Sequence, residues 1–176
     1  MKRKILFSCM LLMTLCCYSQ DYKVEKIKQL TKEKFKITRL FIVTDSVNND
    51  KINTFISDFT AELNTKFTEN NLQFACIRRG TTDTNQKDSL MLKLNPDGVM
   101  KFIPTQFFRN YRGLTYKDGL YFYLGLSHRV GKIDNFTPLF QLKIRVMLDS
   151  FENSGKLAAQ EFFEKISKLG YITPEM

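Results

Sequence analysis

The sequence predicts an α/β (α+β) two-layer sandwich: a mixed, mostly antiparallel sheet of about five to six strands with two helices on one face. Three observations predict it. First, an apolar stripe at helical spacing (Ile52, Phe55, Ile56, Phe59, Leu63 and Phe67) lies between two β-rich runs, "ITRLFIVTD" and "LQFACIRR". Second, "GLYFYLGLSH" and "TPLFQLKIRVML" alternate apolar and polar residues with period two. Third, an amphipathic stretch, "GKLAAQEFFEKISKL", follows them near the end of the chain.

Taken in order, residues 37–45 read as a buried strand, and "DSVNND" (45–50) is turn chemistry in which Asn49 or Asp50 can cap the next helix. That helix runs from about 51 to 70. "LQFACIRR" then forms a second strand, parallel to the first through a right-handed crossover. "GTTDTNQKD" (80–88) reads as a loop. "SLMLKL" and "VMKFI" meet across Asn95-Pro96-Asp97-Gly98, a hairpin signal because proline presets φ and glycine accepts positive φ.

In the two regular strands, Leu120, Phe122, Leu124 and Leu126 share one face with Phe140, Leu142, Ile144, Val146 and Leu148. Tyr121, Tyr123, Ser127, Gln141, Lys143, Arg145 and Met147 share the other. The connection "RVGKIDNF" is short enough to make the strands antiparallel neighbours. In the last helix, about 155–169, Ala158, Phe162, Ile166 and Leu169 form the stripe. Asn153 or Ser154 caps its start, Lys165 and Lys168 suit the negative end of its dipole, and Gly170 supplies a left-handed stop with Tyr171 or Ile172 packing back.

The N-terminus carries a different signal. Lys2, Arg3 and Lys4 precede a short apolar run, Ile5 to Cys17, and Cys17-Tyr18-Ser19 offers small residues at −3 and −1. This is the layout of a secretory signal peptide, and the run is shorter than the about 20 apolar residues of a membrane span. The expected organisation is a signal peptide over 1–19, a basic segment over 20–36 and one domain over 37–172, with export to the periplasm or beyond the cell after cleavage near Ser19. Lipid anchoring ranks lower, because Cys16 follows Leu15 and Cys17 follows Cys16, whereas an acylated cysteine follows a small residue. Cleavage removes Cys9, Cys16 and Cys17. Cys76 then has no partner for an intramolecular disulfide, and its apolar setting reads as an inert, buried thiol.

The formal charge is +9, and residues 21–40 hold six lysines and one arginine against three acids. The basicity is therefore local. It reads as a solvated face, or as a peripheral contact with an anionic membrane surface; export argues against nucleic acid as the partner. Sixteen phenylalanines and no tryptophan indicate a phenylalanine-filled core.

The stretches "RLFIVTD", "NTFISDFTAELNTKF", "LYFYLGLSHRVGKI", "LFQLKIRV" and "AAQEFFEKISKLGYI" span about 35–172. Their order resembles small bacterial envelope domains, namely the TolB N-terminal domain and the ABC-transport auxiliary lipoproteins. The resemblance implies a non-catalytic accessory role in the envelope through protein contacts, and it carries over no functional residues.

Several chemistries find no support. With His128 the one histidine and Cys76 the one mature cysteine, a zinc site of several His and Cys ligands is excluded. Ser127 adjoins His128 on a strand, so their side chains point to opposite faces, and no nucleophile-elbow motif is present. "DSVNND" lacks the spacing and glycine of a calcium loop, and no phosphate-binding glycine motif occurs. No cofactor, metal or catalytic residue is expected.

The candidate site is a partner-binding surface. Tyr121, Tyr123, Lys143 and Arg145 lie side by side on the open sheet face, flanked by Arg109, Tyr111, Arg112 and Tyr116 from a loop. Tyrosine and arginine are favoured interface residues. The alternative is ordinary cross-strand packing, with the Lys143 and Arg145 stems covering the tyrosines and Phe107 and Phe108 plugging the core or covering a sheet edge. The expected partner is an envelope protein or an acidic glycan. The competing function is a secreted hydrolase or glycan-binding protein acting on an acidic surface polymer.

Overall fold

The structure is a computed structural model and describes residues 22–31, 35–80, 83–112, 115–130, 135–147 and 153–172. The proposed leader (1–19), with Cys9, Cys16 and Cys17, and the strand position Leu148 lie outside the described residues.

Strand β1 (Tyr22–Gln29) is followed by β2 (Arg39–Asp45), helix α1 (Asp50–Glu69), β3 (Gln73–Arg79), helix α2 (Thr84–Leu94), β4 (Gly98–Arg112), β5 (Thr115–Arg129), β6 (Phe136–Met147) and helix α3 (Ser154–Lys168). The six strands make one mixed sheet in the order β1-β6-β5-β4-β2-β3. β2 pairs parallel with β3 and β4, and the other pairs are antiparallel. The sheet is open rather than closed into a barrel.

Helix α1 begins where Asn49 accepts a hydrogen bond from the Ile52 N–H (3.1 Å). All six residues of its stripe are buried. Phe59 is fully covered, with its ring 4.3 Å from that of Phe102 and 5.9 Å from that of Phe162. Helix α3 packs beside α1 over the same face, and together they cover Leu40, Ile42, Met100, Phe102 and the inward residues of β5 and β6. Gly155 makes that contact close: a Cβ there would sit 2.6 Å from the Phe55 carbonyl oxygen. Gly170 ends α3 at φ +77°. Tyr171 then turns back to full burial, where its carbonyl accepts from the Ile37 N–H (2.7 Å).

Three expectations are corrected. Residues 84–94, read as loop and then strand, form helix α2. Asn95 closes it in the left-handed conformation (φ 46°), its N–H bonded to the Met91 carbonyl. The turn chemistry of 95–98 thus ends a helix instead of joining two strands. Alternation along β2 and β3 puts Phe41 and Ile77 on the side away from α1, where both are buried, and α2 contacts these strands. The described residues therefore form three helices, with α1 and α3 on one face as expected.

The second correction concerns residues 107–116, read as a loop. They are the end of a long hairpin in which β4 and β5 pair out to Arg112↔Thr115.

The third concerns the basic segment, which contributes β1, paired antiparallel with β6. It is tied inward: the half-buried Tyr22 hydroxyl bonds to Glu161 of α3, and burial first, then Glu161, pushes its pKa up to about 12.

Asp97 joins three elements at the other end of the sheet. Its carboxylate accepts from Thr38 N–H (3.0 Å), Thr38 Oγ1 (2.6 Å) and Arg39 N–H (2.9 Å), and its carbonyl accepts from Arg129 N–H (2.9 Å).

Candidate functional site

Among the described residues, no helix lies over β1, β6, β5 and β4 on the face of the sheet away from α1 and α3. Strand register builds it as three successive rungs. The first is Lys101, Gly125, Gln141 and Lys28. The second is Ile103, Tyr123, Lys143 and Lys26. The third carries Tyr121, Arg145 and Lys23.

Here the structure brings together four of the candidate residues, Tyr121, Tyr123, Lys143 and Arg145. Tyr121 is already enclosed by neighbours. The Lys143 Nζ lies 3.6 Å from its ring centroid, and the Phe108 ring is 4.7 Å away. Phe108 in turn lies over Gly119, directly across the hairpin, where a Cβ would come within 2.1 Å of the ring. Arg145 sits 3.6 Å from Glu25 and 5.9 Å from the Phe108 ring. Much of this is the cross-strand cover weighed against a binding site above. Phe108 covers the sheet surface, and Phe107 does not plug the core, since it is 63% exposed.

Tyr123 differs from Tyr121. Its ring lies along β5 above Gly125, which has no side chain to lift it; a Cβ at Gly125 would meet the ring at 3.0 Å. Two shallow clefts meet at Tyr123. One, of about 350 Å³, is lined by Lys28, Thr105, Gln141 and Lys143. The other, of about 320 Å³, is lined by Lys101, Gly125, Ser127 and Gln141 among others. Lysines and polar groups thus border a half-buried ring, beside apolar lining from Leu126, Phe136, Pro138, Phe140 and Leu142.

The flanking residues divide. Arg109 pairs across the hairpin with Asp118 through two contacts, Nε–Oδ1 2.7 Å and Nη2–Oδ2 3.2 Å. This bond holds the Asp118 carboxyl below its ordinary pKa and the Arg109 guanidinium above its own. In register, Arg109 and Tyr111 alternate with Phe108, on the side of the hairpin opposite Tyr121. Tyr111 is 69% exposed. They therefore do not flank the open face. Arg112 and Tyr116 belong to β4 and β5 by backbone pairing, and their side chains lie outside the described residues.

Sequence reasoning missed Lys23, Lys28, Lys101 and Gly125. The first two were hidden in the charge run. The alternation of Tyr22 and Val24 with Lys23 and Glu25 was the available signal of a strand.

The other reactive groups are occupied structurally. The His128 ring stacks on Phe35 (4.3 Å), and burial lowers its pKa against a smaller opposing effect of Asp97. Burial pushes the Cys76 thiol up to about 11, which keeps it protonated and unreactive near neutrality. Among the described residues, no cluster of three or more His, Cys, Asp or Glu could hold a metal ion, and no helix is long and apolar enough to cross a membrane.

No protein-family model matches the chain, and no curated protein matches it in sequence. Solved structures of similar outline include the PelC dodecamer from Paraburkholderia phytofirmans, with a TM-score of 0.49 and 9% identity over 85% of this chain and 97% of that one. Lipoprotein GNA1162 from Neisseria meningitidis scores 0.41 at 13% identity over 74% and 99%. The hypothetical protein CT253 from Chlamydia trachomatis scores 0.42 at 12% identity over 79% and 98%. Likenesses at this level carry no argument about function or assembly.

Proposed function

We propose that this protein is an exported, non-catalytic interaction protein of the cell envelope that binds its partner through the open face of the sheet. One observation carries the reading: Tyr123 lines two clefts that meet on the sheet face away from α1 and α3, with Lys28, Lys101 and Lys143 around it. Export rests on the N-terminal pattern and predicts a mature chain beginning at Gln20.

Two measurements test the proposal. N-terminal sequencing of the protein from the envelope fraction should start at Gln20; an uncut chain inside the cell would overturn the export half. In pull-downs from envelope extract, the Tyr123→Ala/Lys143→Ala double variant should lose a partner that the wild type retains. Identical partners with both proteins, at equal thermal stability, would overturn the binding half.

A further inference from the structure

We infer that the partner of the open face is a linear polysaccharide bearing carboxylates, laid across β4, β5, β6 and β1 through the two clefts that meet at Tyr123. The inference rests on the reading of the open face as a binding surface and adds the chemistry of what it binds.

The first ground is charge that the fold alone does not need. Lys23 lies directly across from Arg145. Like charges opposite each other across a strand pair are destabilising. The Lys23–Arg145 pair carries that cost, offset in part by Glu25. Among the described residues of β1, β4, β5 and β6 on this side, Glu25 is the one acid, and it meets Arg145 at 3.6 Å. Lys28 and Lys101 stand at opposite ends of one rung, with Gly125 and Gln141 as its floor. Neighbouring strands are about 4.8 Å apart, so the rung gives a track roughly 14 Å long with a cation at each end. A chain with spaced negative charges fits such a track.

The second ground separates a saccharide from other polyanions. Ser127 and Gln141 line the clefts, and their hydroxyl and amide groups match a ligand rich in hydroxyls; the Thr105 hydroxyl is already donated to the Tyr121 carbonyl. Tyr123 lines both clefts, and its ring is an apolar plate on which a sugar ring can rest. Single-stranded nucleic acid is held by successive aromatic platforms along its path. Here the second tyrosine, Tyr121, is taken by Lys143 and Phe108. One ring that lines both clefts, with cations and polar groups beside it, suits a sugar polymer better than a base stack.

The test titrates the purified full mature chain by calorimetry with polygalacturonate, neutral dextran, oligothymidylate and inorganic polyphosphate. Polygalacturonate should bind and dextran should not. Oligothymidylate and polyphosphate should bind at least tenfold more weakly than polygalacturonate. Lys28→Glu/Lys143→Glu should weaken polygalacturonate binding by about tenfold or more, in a way that added salt mimics in the wild type. Tyr123→Ala should weaken it several-fold and leave the salt dependence unchanged, because the ring carries no charge. Equal affinity for all three polyanions would overturn the inference in favour of charge alone, as would no binding of polygalacturonate. If polygalacturonate fails yet the pull-down partner still depends on Tyr123 and Lys143, the polysaccharide is wrong and the open-face reading stands. If both fail, both fall.

Discussion

On the helix-covered side of the sheet, Leu120, Phe122, Leu124, Leu142, Ile144 and Val146 meet α1 and α3 and are buried to within 2%. On the other side of the same strands, Tyr121, Tyr123, Lys143 and Arg145 stay half-exposed, and Lys23 stands opposite Arg145. The strands serve both surfaces with one alternating sequence. The difference teaches where selection for folding ends. The covered side is fixed by apolar area and shape. The open side sets two cations, Lys23 and Arg145, in register, with Glu25 3.6 Å from Arg145.

The comparison can be broken most directly at Phe59. Its ring is fully buried between Phe55, Phe102 and Phe162. Phe59→Ala removes that area and leaves a cavity, so stability should fall by about 3–5 kcal/mol. A urea titration reads this as a lower midpoint at unchanged slope. A midpoint within error of the wild type would mean that the covered side is not the core.

Gly155 offers a smaller blow to the same side. A methyl group there meets the Phe55 carbonyl oxygen at 2.6 Å and the Phe59 nitrogen at 3.0 Å, both backbone atoms that cannot swing aside. Gly155→Ala should cost about 1–3 kcal/mol by forcing α3 off α1. Thermal unfolding should register the drop. A gain, the usual result of alanine at an unstrained helical site, would show that the helices are less closely seated.

Across the sheet, Tyr123→Ala should cost about 0.2–1 kcal/mol, the scale of a cross-strand contact and not of a core residue. Chemical denaturation measures it, and a loss as large as that at Phe59 would erase the distinction between the faces.

How far the sequence disclosed this follows the range of the forces. The α1 stripe, the faces of β5 and β6, and the end of α3 at Gly170 were legible because periodicity and local turn chemistry decide them. Helix α2 was not: Leu90, Met91, Leu92 and Leu94 form no buried stripe, since none of its residues is buried. Asn95 also suits a helix end and a hairpin equally well. The hairpin arm was hidden because Phe108 over Gly119 and Arg109 with Asp118 are contacts across strands, invisible along the chain. The site was half legible. Tyr121, Tyr123, Lys143 and Arg145 were read from alternation. Lys23 and Lys28 joined them only once β1 was seen beside β6, and Arg109 and Tyr111 left once the hairpin set their register.

The smallest effect is the sharpest, because its sign is unusual. Lys23 is exposed and faces Arg145 across the β1–β6 pair. Lys23→Glu replaces a repulsion with an attraction and should raise stability by about 0.2–0.5 kcal/mol at low salt. The gain should shrink as salt screens the pair. Glu25 already approaches Arg145, so the new carboxylate shares the guanidinium and the gain stays at the low end. The same substitution takes a cation from the open face, so affinity for a polyanion should fall while the fold becomes firmer. Such a trade is expected where a surface is kept for binding at the expense of stability. Denaturant midpoints at low and high salt, set beside polygalacturonate titrations, give both numbers. A variant that loses stability and keeps its affinity would mean that the lysines of β1 serve the fold, and that the two faces of the sheet differ less than their charges suggest.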